Sequence, residues 1–224
     1  AESMKRFGSD KPDLRYGLEI TDLNEAMQGS EFKAFASVLE KGGRIGGLAL
    51  KPVEQYSRKT VGEMEDLLKK EYKIGGLACM KIEGGKLDGG ISKFLSPEIQ
   101  QKVITACGID TGVLFVVADA DYERASNALG SLRRTLAVKE ALIKNPDDLK
   151  FVWIHNFPLF ERDEENNRIA PKHHIFTHPR DEHMNILESD PLKVHGKLYD
   201  LVLNGVELGS GSIRINSYDL QKRV

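Results

Sequence analysis

Asn204-Gly205 separates two apolar runs and constrains the fold more than any other feature of the sequence. Both residues tolerate the positive φ angles that a type I′ turn requires. The flanking runs, 198–203 and 206–215, carry the apolar residues of two strands. The sequence therefore predicts a β-hairpin whose two-residue turn allows the strand register to be counted outward from it.

The predicted hairpin brings two carboxylates onto one face. Counting from the turn, Val202 faces Glu207 and Asp200 faces Gly209. Because side chains alternate along a strand, Asp200, Val202 and Glu207 share a face, and the two acids are diagonal neighbours roughly 7–8 Å apart at Cα. This separation suits two carboxylates flanking a divalent cation, since Mg²⁺ binds one or two carboxylates together with phosphate oxygens. A pair of solvated charges on an exposed face explains the same spacing.

A glycine-rich stretch, 209–212, interrupts the second predicted strand. Glycine inside a strand marks a bulge or a place where a ligand approaches the backbone closely. By simple alternation Arg214 points away from Glu207, but one bulge between them brings both to the same face. The pattern then predicts a cation site beside an arginine that binds a carboxylate or a phosphate. A merely flexible strand is the alternative.

Three of the six histidines fall in the segment 172–179, within which an extended stretch is predicted for 173–177. His174 and His178 have the i, i+4 spacing of a helical zinc pair, but Pro179 and the β-prone residues before it argue against a helix. No cysteine completes a metal shell. The segment fits a histidine that hydrogen-bonds a carboxylate ligand, or a plain surface loop, better than a zinc site.

Helical and strand-like periods alternate between residues 29 and 148. Predicted helices cover 31–40, the residues behind a capping box at Thr60 and Glu63, those between Ser96-Pro97 and Gly108, and 125–143. One short strand is predicted ahead of this region at 16–20, and the predicted strands within it cover 45–50, 77–82 and 113–118. The last of these is apolar throughout, as in a strand buried on both faces. The alternation predicts a two-layer α/β module with a mainly antiparallel sheet.

The residues of this module that could carry chemistry have simple structural interpretations. Arg133 and Arg134 could contact phosphate, but a solvated helix face is the default interpretation. Cys79 and Cys107 lie far apart without a CxxC pair, and we interpret them as small core residues. No P-loop and no GxGxxG after a strand is present in the sequence.

Composition limits the class of protein. Hydrophobic residues make up 40% of the 224, enough for a core, which argues against wholesale disorder. The 32 basic and 34 acidic residues give a net charge of −2, which excludes the overall basicity of a simple DNA-coating protein. Without a long apolar run or a signal peptide, we expect no membrane span and a cytoplasmic location. The chain begins at Ala1 rather than Met, so we expect it to be a piece of a longer protein.

Two stretches, 7–16 and 199–215, resemble bacterial-type aspartyl-tRNA synthetase, and 173–177 fits in the same order. In that family a class II catalytic sheet is interrupted by an inserted GAD domain. The resemblance implies an α+β chain with a catalytic segment at 1–28, a GAD-like two-layer insertion at 29–148, and a catalytic segment at 149–224. The two catalytic segments then form an incomplete antiparallel sheet with unpaired edges.

The resemblance also assigns roles to single residues. Asp200 and Glu207 resemble the acidic pair that holds ATP-bound Mg²⁺, which makes Glu207 an ATP-binding residue as well. Arg214 resembles the arginine that binds the side chain of aspartate. His173 and His174 resemble the histidine pair that closes over the amino acid. The 9–11 stretch resembles a family marker, to which we assign no catalytic role.

The implied activity is attachment of L-aspartate to tRNA through an aspartyl-adenylate made from ATP. The implied partners are tRNA, ATP, aspartate and a second copy of the enzyme, without DNA or membrane. Several parts that the family needs do not lie within the sequence, so we expect the chain alone to be inactive and to hold no tightly bound cofactor. The alternative is an insertion module that binds tRNA or a protein, or that buttresses the catalytic sheet.

Overall fold

The computed structural model describes residues 1–51, 56–163 and 166–224. They form two compact units, a first unit of residues 2–148 and a second unit of residues 149–224 together with Ala1. Within the described residues, none of the helices has the length and apolar content that a membrane crossing needs.

The first unit is built on a five-stranded sheet in which every neighbouring pair is antiparallel. Across the sheet the strands are β1 (Thr21–Asp22), β2 (Arg44–Leu50), β5 (Gly112–Asp119), β3 (Leu77–Glu83) and β4 (Lys86–Asp88). The predicted antiparallel sheet is confirmed. The predicted strand at 16–20 is wrong, because the pairing begins only at Thr21.

Helices cover both faces of this sheet. They are α1 (Glu2–Phe7), α2 (Lys33–Glu40), α3 (Arg58–Tyr72), α4 (Pro97–Cys107) and α5 (Tyr122–Lys139), with a short 3₁₀ helix at Ser92–Phe94. On β5, Phe115 packs in one core with α3 and α5, while Leu114 packs in a second core with α2 and α4. The predicted two-layer arrangement is therefore wrong, since a central strand that is apolar on both sides needs cover on both sides.

Side-chain caps set the helix starts. The Ser96 hydroxyl accepts the N–H of Ile99 ahead of α4, and Gly108 ends that helix at φ 66°, as predicted. The predicted capping box at Thr60 is wrong. Ser57 is the N-cap of α3, because its hydroxyl accepts the Thr60 N–H at 3.1 Å, and the helix begins at Arg58.

Arg133 lies inside the first unit and not on a solvated helix face. Its side chain is only 2% exposed, and its guanidinium donates to the carbonyl oxygens of Asp13 and Leu18 and to the Tyr16 hydroxyl. The guanidinium also lies over the ring of Phe7, 4.9 Å from the centroid. Burial lowers the pKa of Arg133, although the guanidinium stays protonated. The arginine therefore binds the N-terminal segment rather than phosphate.

A second buried arginine does the same at the start of β2. Arg44 is fully buried and donates to the carbonyl oxygens of Met4 and Lys5 and to the Ser126 hydroxyl. Residues 2–28 consequently belong to the same compact unit as residues 29–148. The division into a catalytic segment 1–28 and an insertion 29–148 stays a prediction, because compactness does not test it.

The second unit contains two small antiparallel sheets. The first has the order β10 (Val206–Ser212), β9 (Leu198–Leu203), β6 (Phe151–His155), and the second pairs β7 (Phe160–Asp163) with β8 (Arg168–Pro171). Helix α6 (Tyr218–Arg223) and 3₁₀ helices at Asp181–Ile186 and Pro191–Lys193 complete it. The core comprises Leu159, Phe160, Leu187, Val194 and Leu220. The sequence also predicts a charged turn at 161–168, of which residues 164–165 lie outside the described residues.

Candidate functional site

The predicted hairpin is confirmed at its turn. Asn204 has φ 51° and Gly205 has φ 86°, the positive values that a type I′ turn requires. Leu203 pairs with Val206, and Val202 pairs with Glu207, as counted from the turn. The turn therefore sets the register that carries the candidate site.

Beyond Glu207 the strand bulges, and the predicted pairing of Asp200 with Gly209 is wrong. The register shifts between Glu207 and Gly209, so Gly209 pairs with Leu201 and Asp200 pairs with Ser210. The additional residue on β10 causes the shift, because two residues of one strand oppose one of the other at a bulge. Asp200 and Glu207 nevertheless share a face, since Val202 is opposite Glu207 and two residues from Asp200.

The same bulge decides which side Arg214 occupies. Ser210 and Ser212 pair with Asp200 and Leu198, which places both serines on the face of Asp200. The ladder continues past the end of β10, because the Ile213 N–H donates to the Lys197 carbonyl oxygen at 2.8 Å. Alternation then puts Arg214 on the face of Asp200 and Glu207. The bulge that this arrangement needs is present in the predicted interval.

The histidine segment runs along the extension of β10. Thr177 pairs with Arg214, while Ile175 and Phe176 form a turn, so the predicted extended stretch 173–177 is wrong over most of its length. His174 stacks on Phe176 with ring centroids 4.8 Å apart and an interplanar angle of 13°. The Arg214 guanidinium lies over the same Phe176 ring, 3.9 Å from its centroid. His174 and Arg214 are thus brought together by one aromatic side chain.

His173 and His174 contact different rings. His173 packs edge-to-face against Phe157, with centroids 5.2 Å apart and an interplanar angle of 80°. Phe157 is buried, whereas both histidines are exposed. The structure therefore anchors the two histidines separately.

The donor set suits a magnesium ion that arrives with a phosphate ligand. Among the residues that the structure describes, no group of three or more His, Cys, Asp or Glu side chains could hold a metal by itself. Asp200 and Glu207 offer two carboxylates on one sheet face, and Mg²⁺ commonly takes one or two carboxylates plus phosphate oxygens and water.

Burial raises the pKa of the Cys79 and Cys107 thiols to about 11, which agrees with their interpretation as core residues.

The turn that sets the register provides a stability test. We expect Gly205→Ala to lower the free energy of unfolding of the second unit by about 1 kcal/mol, because a Cβ disfavours the left-handed conformation. Urea unfolding followed by the fluorescence of Trp153, the single tryptophan, measures this. Gly209→Ala is the matched control, since its Cβ would meet nothing within 4 Å. An equal loss of unfolding free energy in the two variants would contradict the assigned turn.

Sequence reasoning missed the two aromatic supports, Phe157 and Phe176. The sequence shows Phe176 two residues after the histidine pair, but a phenylalanine there equally suits a small core. Only the contacts with His174 and Arg214 distinguish a surface support from a core residue.

Comparison with known proteins identifies the family to which the chain belongs. A family model described as tRNA synthetases class II (D, K and N) matches residues 1–224. The aspartate–tRNA(Asp/Asn) ligase of Rubrobacter xylanophilus is 46% identical over the whole chain, which covers 37% of that relative. The aspartate–tRNA ligase of Clostridium botulinum strain Alaska E43 is 42% identical with the same coverage, and the aspartate–tRNA(Asp/Asn) ligase of Borreliella burgdorferi strain ZS7 is 40% identical with 38% coverage. The chain thus spans little more than a third of the length of these relatives. By its match over all residues, the chain belongs to the class II tRNA synthetases (D, K and N).

Proposed function

We propose that this chain forms part of an aspartate–tRNA ligase and contributes residues that bind aspartate and ATP. The observation that carries the proposal is the bulged hairpin, whose register supports one shared face for Asp200, Glu207 and Arg214. The names of the relatives support aspartate as the amino acid.

Each side chain has a role that its chemistry supports. Arg214 offers a planar guanidinium, which can bind a carboxylate through two parallel hydrogen bonds, and its resemblance to the family assigns it to the side chain of aspartate. His173 and His174 lie beside the bound amino acid and limit its access to water. Asp200 and Glu207 would hold Mg²⁺ together with the phosphates of ATP, and Glu207 would in this way contribute to ATP binding. When bound, the ion neutralises phosphate charge.

The reaction is attack of the aspartate α-carboxylate on the α-phosphorus of ATP. The new bond joins carboxylate oxygen to phosphorus, and pyrophosphate leaves with the electron pair of the broken P–O bond. The aspartyl group then passes to the 3′ end of tRNA with release of AMP. This chain contributes positioning and charge, which are the main requirements of such a transfer.

The rest of the proposal concerns the whole protein. We assign residues 29–148 to a GAD-like insertion. The partners of the whole protein in this proposal are tRNA, ATP, aspartate and a second copy of the enzyme, and its location is the cytoplasm. The chain alone does not activate aspartate in this proposal. Among roles for the insertion, a structural buttress is favoured over tRNA binding by the burial of Arg133, which removes one of two arginines considered for phosphate contact.

The test is aspartate-dependent exchange of pyrophosphate into ATP by a full-length synthetase that contains this chain. We expect Asp200→Asn and Glu207→Gln each to lower the exchange rate at limiting Mg²⁺ by about a hundredfold, with partial recovery as Mg²⁺ is raised, because each removes one carboxylate ligand. Asp219→Asn, an exposed acid at the start of α6, is the control and should change the rate less than twofold. The proposal would be contradicted if the exchange did not depend on aspartate, or if neither substitution changed the exchange rate.

A further inference from the structure

Phe176 contacts two of the candidate aspartate-binding residues at once. Its ring lies 3.9 Å from the Arg214 guanidinium carbon and stacks on His174 at 4.8 Å. A guanidinium within about 6 Å of a ring centroid is attracted by the electron-rich face of the ring. Arg214 and His174 are both exposed, and each contacts this ring.

Hydrogen bonds that do not involve the side chains of Arg214 or His174 hold the backbone of the turn that carries Phe176. The Ile215 N–H donates to the Phe176 carbonyl oxygen at 2.8 Å, and the His178 N–H donates to the Ile213 carbonyl oxygen at 2.8 Å. The Gln221 side chain donates to the Ile175 carbonyl oxygen at the same distance. These bonds tie the turn to the extension of β10 and to α6. Phe176 is 37% exposed and is not among the described core residues of the second unit, so its replacement leaves that core unchanged.

We propose that Phe176 is a positioning residue for aspartate recognition, which holds the Arg214 guanidinium and the His174 ring in the geometry that the amino acid requires. The proposal rests on the proposed function, because it assumes that Arg214 binds aspartate. An exposed arginine samples many rotamers and loses that freedom on binding a ligand. A ring that holds the guanidinium in place before aspartate binds reduces this entropic cost. Loss of the ring therefore weakens the binding of aspartate and not the binding of ATP.

The test compares Phe176→Leu, Phe176→Tyr and Ile175→Ala in a full-length synthetase that contains this chain. Leucine keeps an apolar side chain but removes the aromatic face, whereas tyrosine keeps that face. Ile175 is the neighbouring exposed residue and serves as the matched control. The readouts are the KM values for aspartate and for ATP in pyrophosphate exchange.

For Phe176→Leu we expect the KM for aspartate to rise about tenfold while the KM for ATP changes less than twofold. Phe176→Tyr and Ile175→Ala should stay within about twofold of the unsubstituted enzyme for both substrates. The proposal is overturned if leucine and tyrosine behave alike, or if both KM values rise together, as expected for a general loss of structure. Failure of the proposed function would appear separately, as an unsubstituted enzyme without aspartate-dependent exchange.

Discussion

Replacing Arg214 by Met in a full-length synthetase that contains this chain is expected to lower kcat/KM for aspartate by about 100- to 1000-fold. The substitution removes a two-pronged, charge-assisted donor to the side-chain carboxylate of aspartate, and losses of this order follow truncation of one partner of a hydrogen-bonded charge pair. Methionine keeps an unbranched apolar side chain but lacks the guanidinium that lies over the Phe176 ring. Pyrophosphate exchange measured over a range of aspartate concentrations gives the ratio.

Arg162→Met is the matched control for this experiment. Arg162 is exposed on β7 in the same unit, so its loss removes the same charge without affecting the candidate site. We expect the control to retain kcat/KM within about twofold, as surface substitutions usually do. Comparable losses in both variants would mean that net charge, and not the position of Arg214, governs aspartate binding.

Replacing Arg133 by Met is expected to lower the free energy of unfolding of the first unit by about 3–5 kcal/mol. The carbonyl oxygens of Asp13 and Leu18 would stay buried without the guanidinium that donates to them. Each buried acceptor left unpaired costs roughly 1–3 kcal/mol, and the contact with the Phe7 ring is lost as well. Urea unfolding followed by far-ultraviolet circular dichroism reports on this unit, because most of the helices belong to it.

Arg134→Met provides the control, because the neighbouring arginine on α5 is exposed. Its effect should stay within about 0.5 kcal/mol. If the two variants were equally stable, the N-terminal segment would not depend on the buried guanidinium, and the integration of residues 2–28 into the first unit would need another cause.

Features with a strictly local cause could be predicted from the sequence. The Asn204-Gly205 turn follows from two residues that tolerate positive φ, and the start of α4 follows from Ser96 with its proline. The need for a bulge between Glu207 and Arg214 also followed from counting alternate side chains. The exact position of the bulge could not be predicted by counting, because the glycine-rich stretch allows several strand registers.

Features that depend on distant contacts could not be predicted in the same way. Arg133 looks solvated beside Arg134, and only the carbonyl groups of residues more than 100 positions away explain its burial. The apolar run 113–118 implies that helices cover both faces of the sheet, because both sides of a central apolar strand need cover. The periodicity of a helix, however, does not show which face of the sheet that helix covers. The support that Phe176 gives to Arg214 joins two segments that are separated in the sequence.

The most direct test is the anomalous scattering of Mn²⁺ in crystals of a full-length synthetase containing this chain, grown with Mn²⁺ and a non-hydrolysable ATP analogue. We expect an anomalous peak within coordination distance, about 2.1 Å, of carboxylate oxygens of both Asp200 and Glu207, with the Arg214 guanidinium on the same side of the sheet. A manganese peak that neither carboxylate contacts, or an Arg214 side chain on the opposite face, would contradict the account.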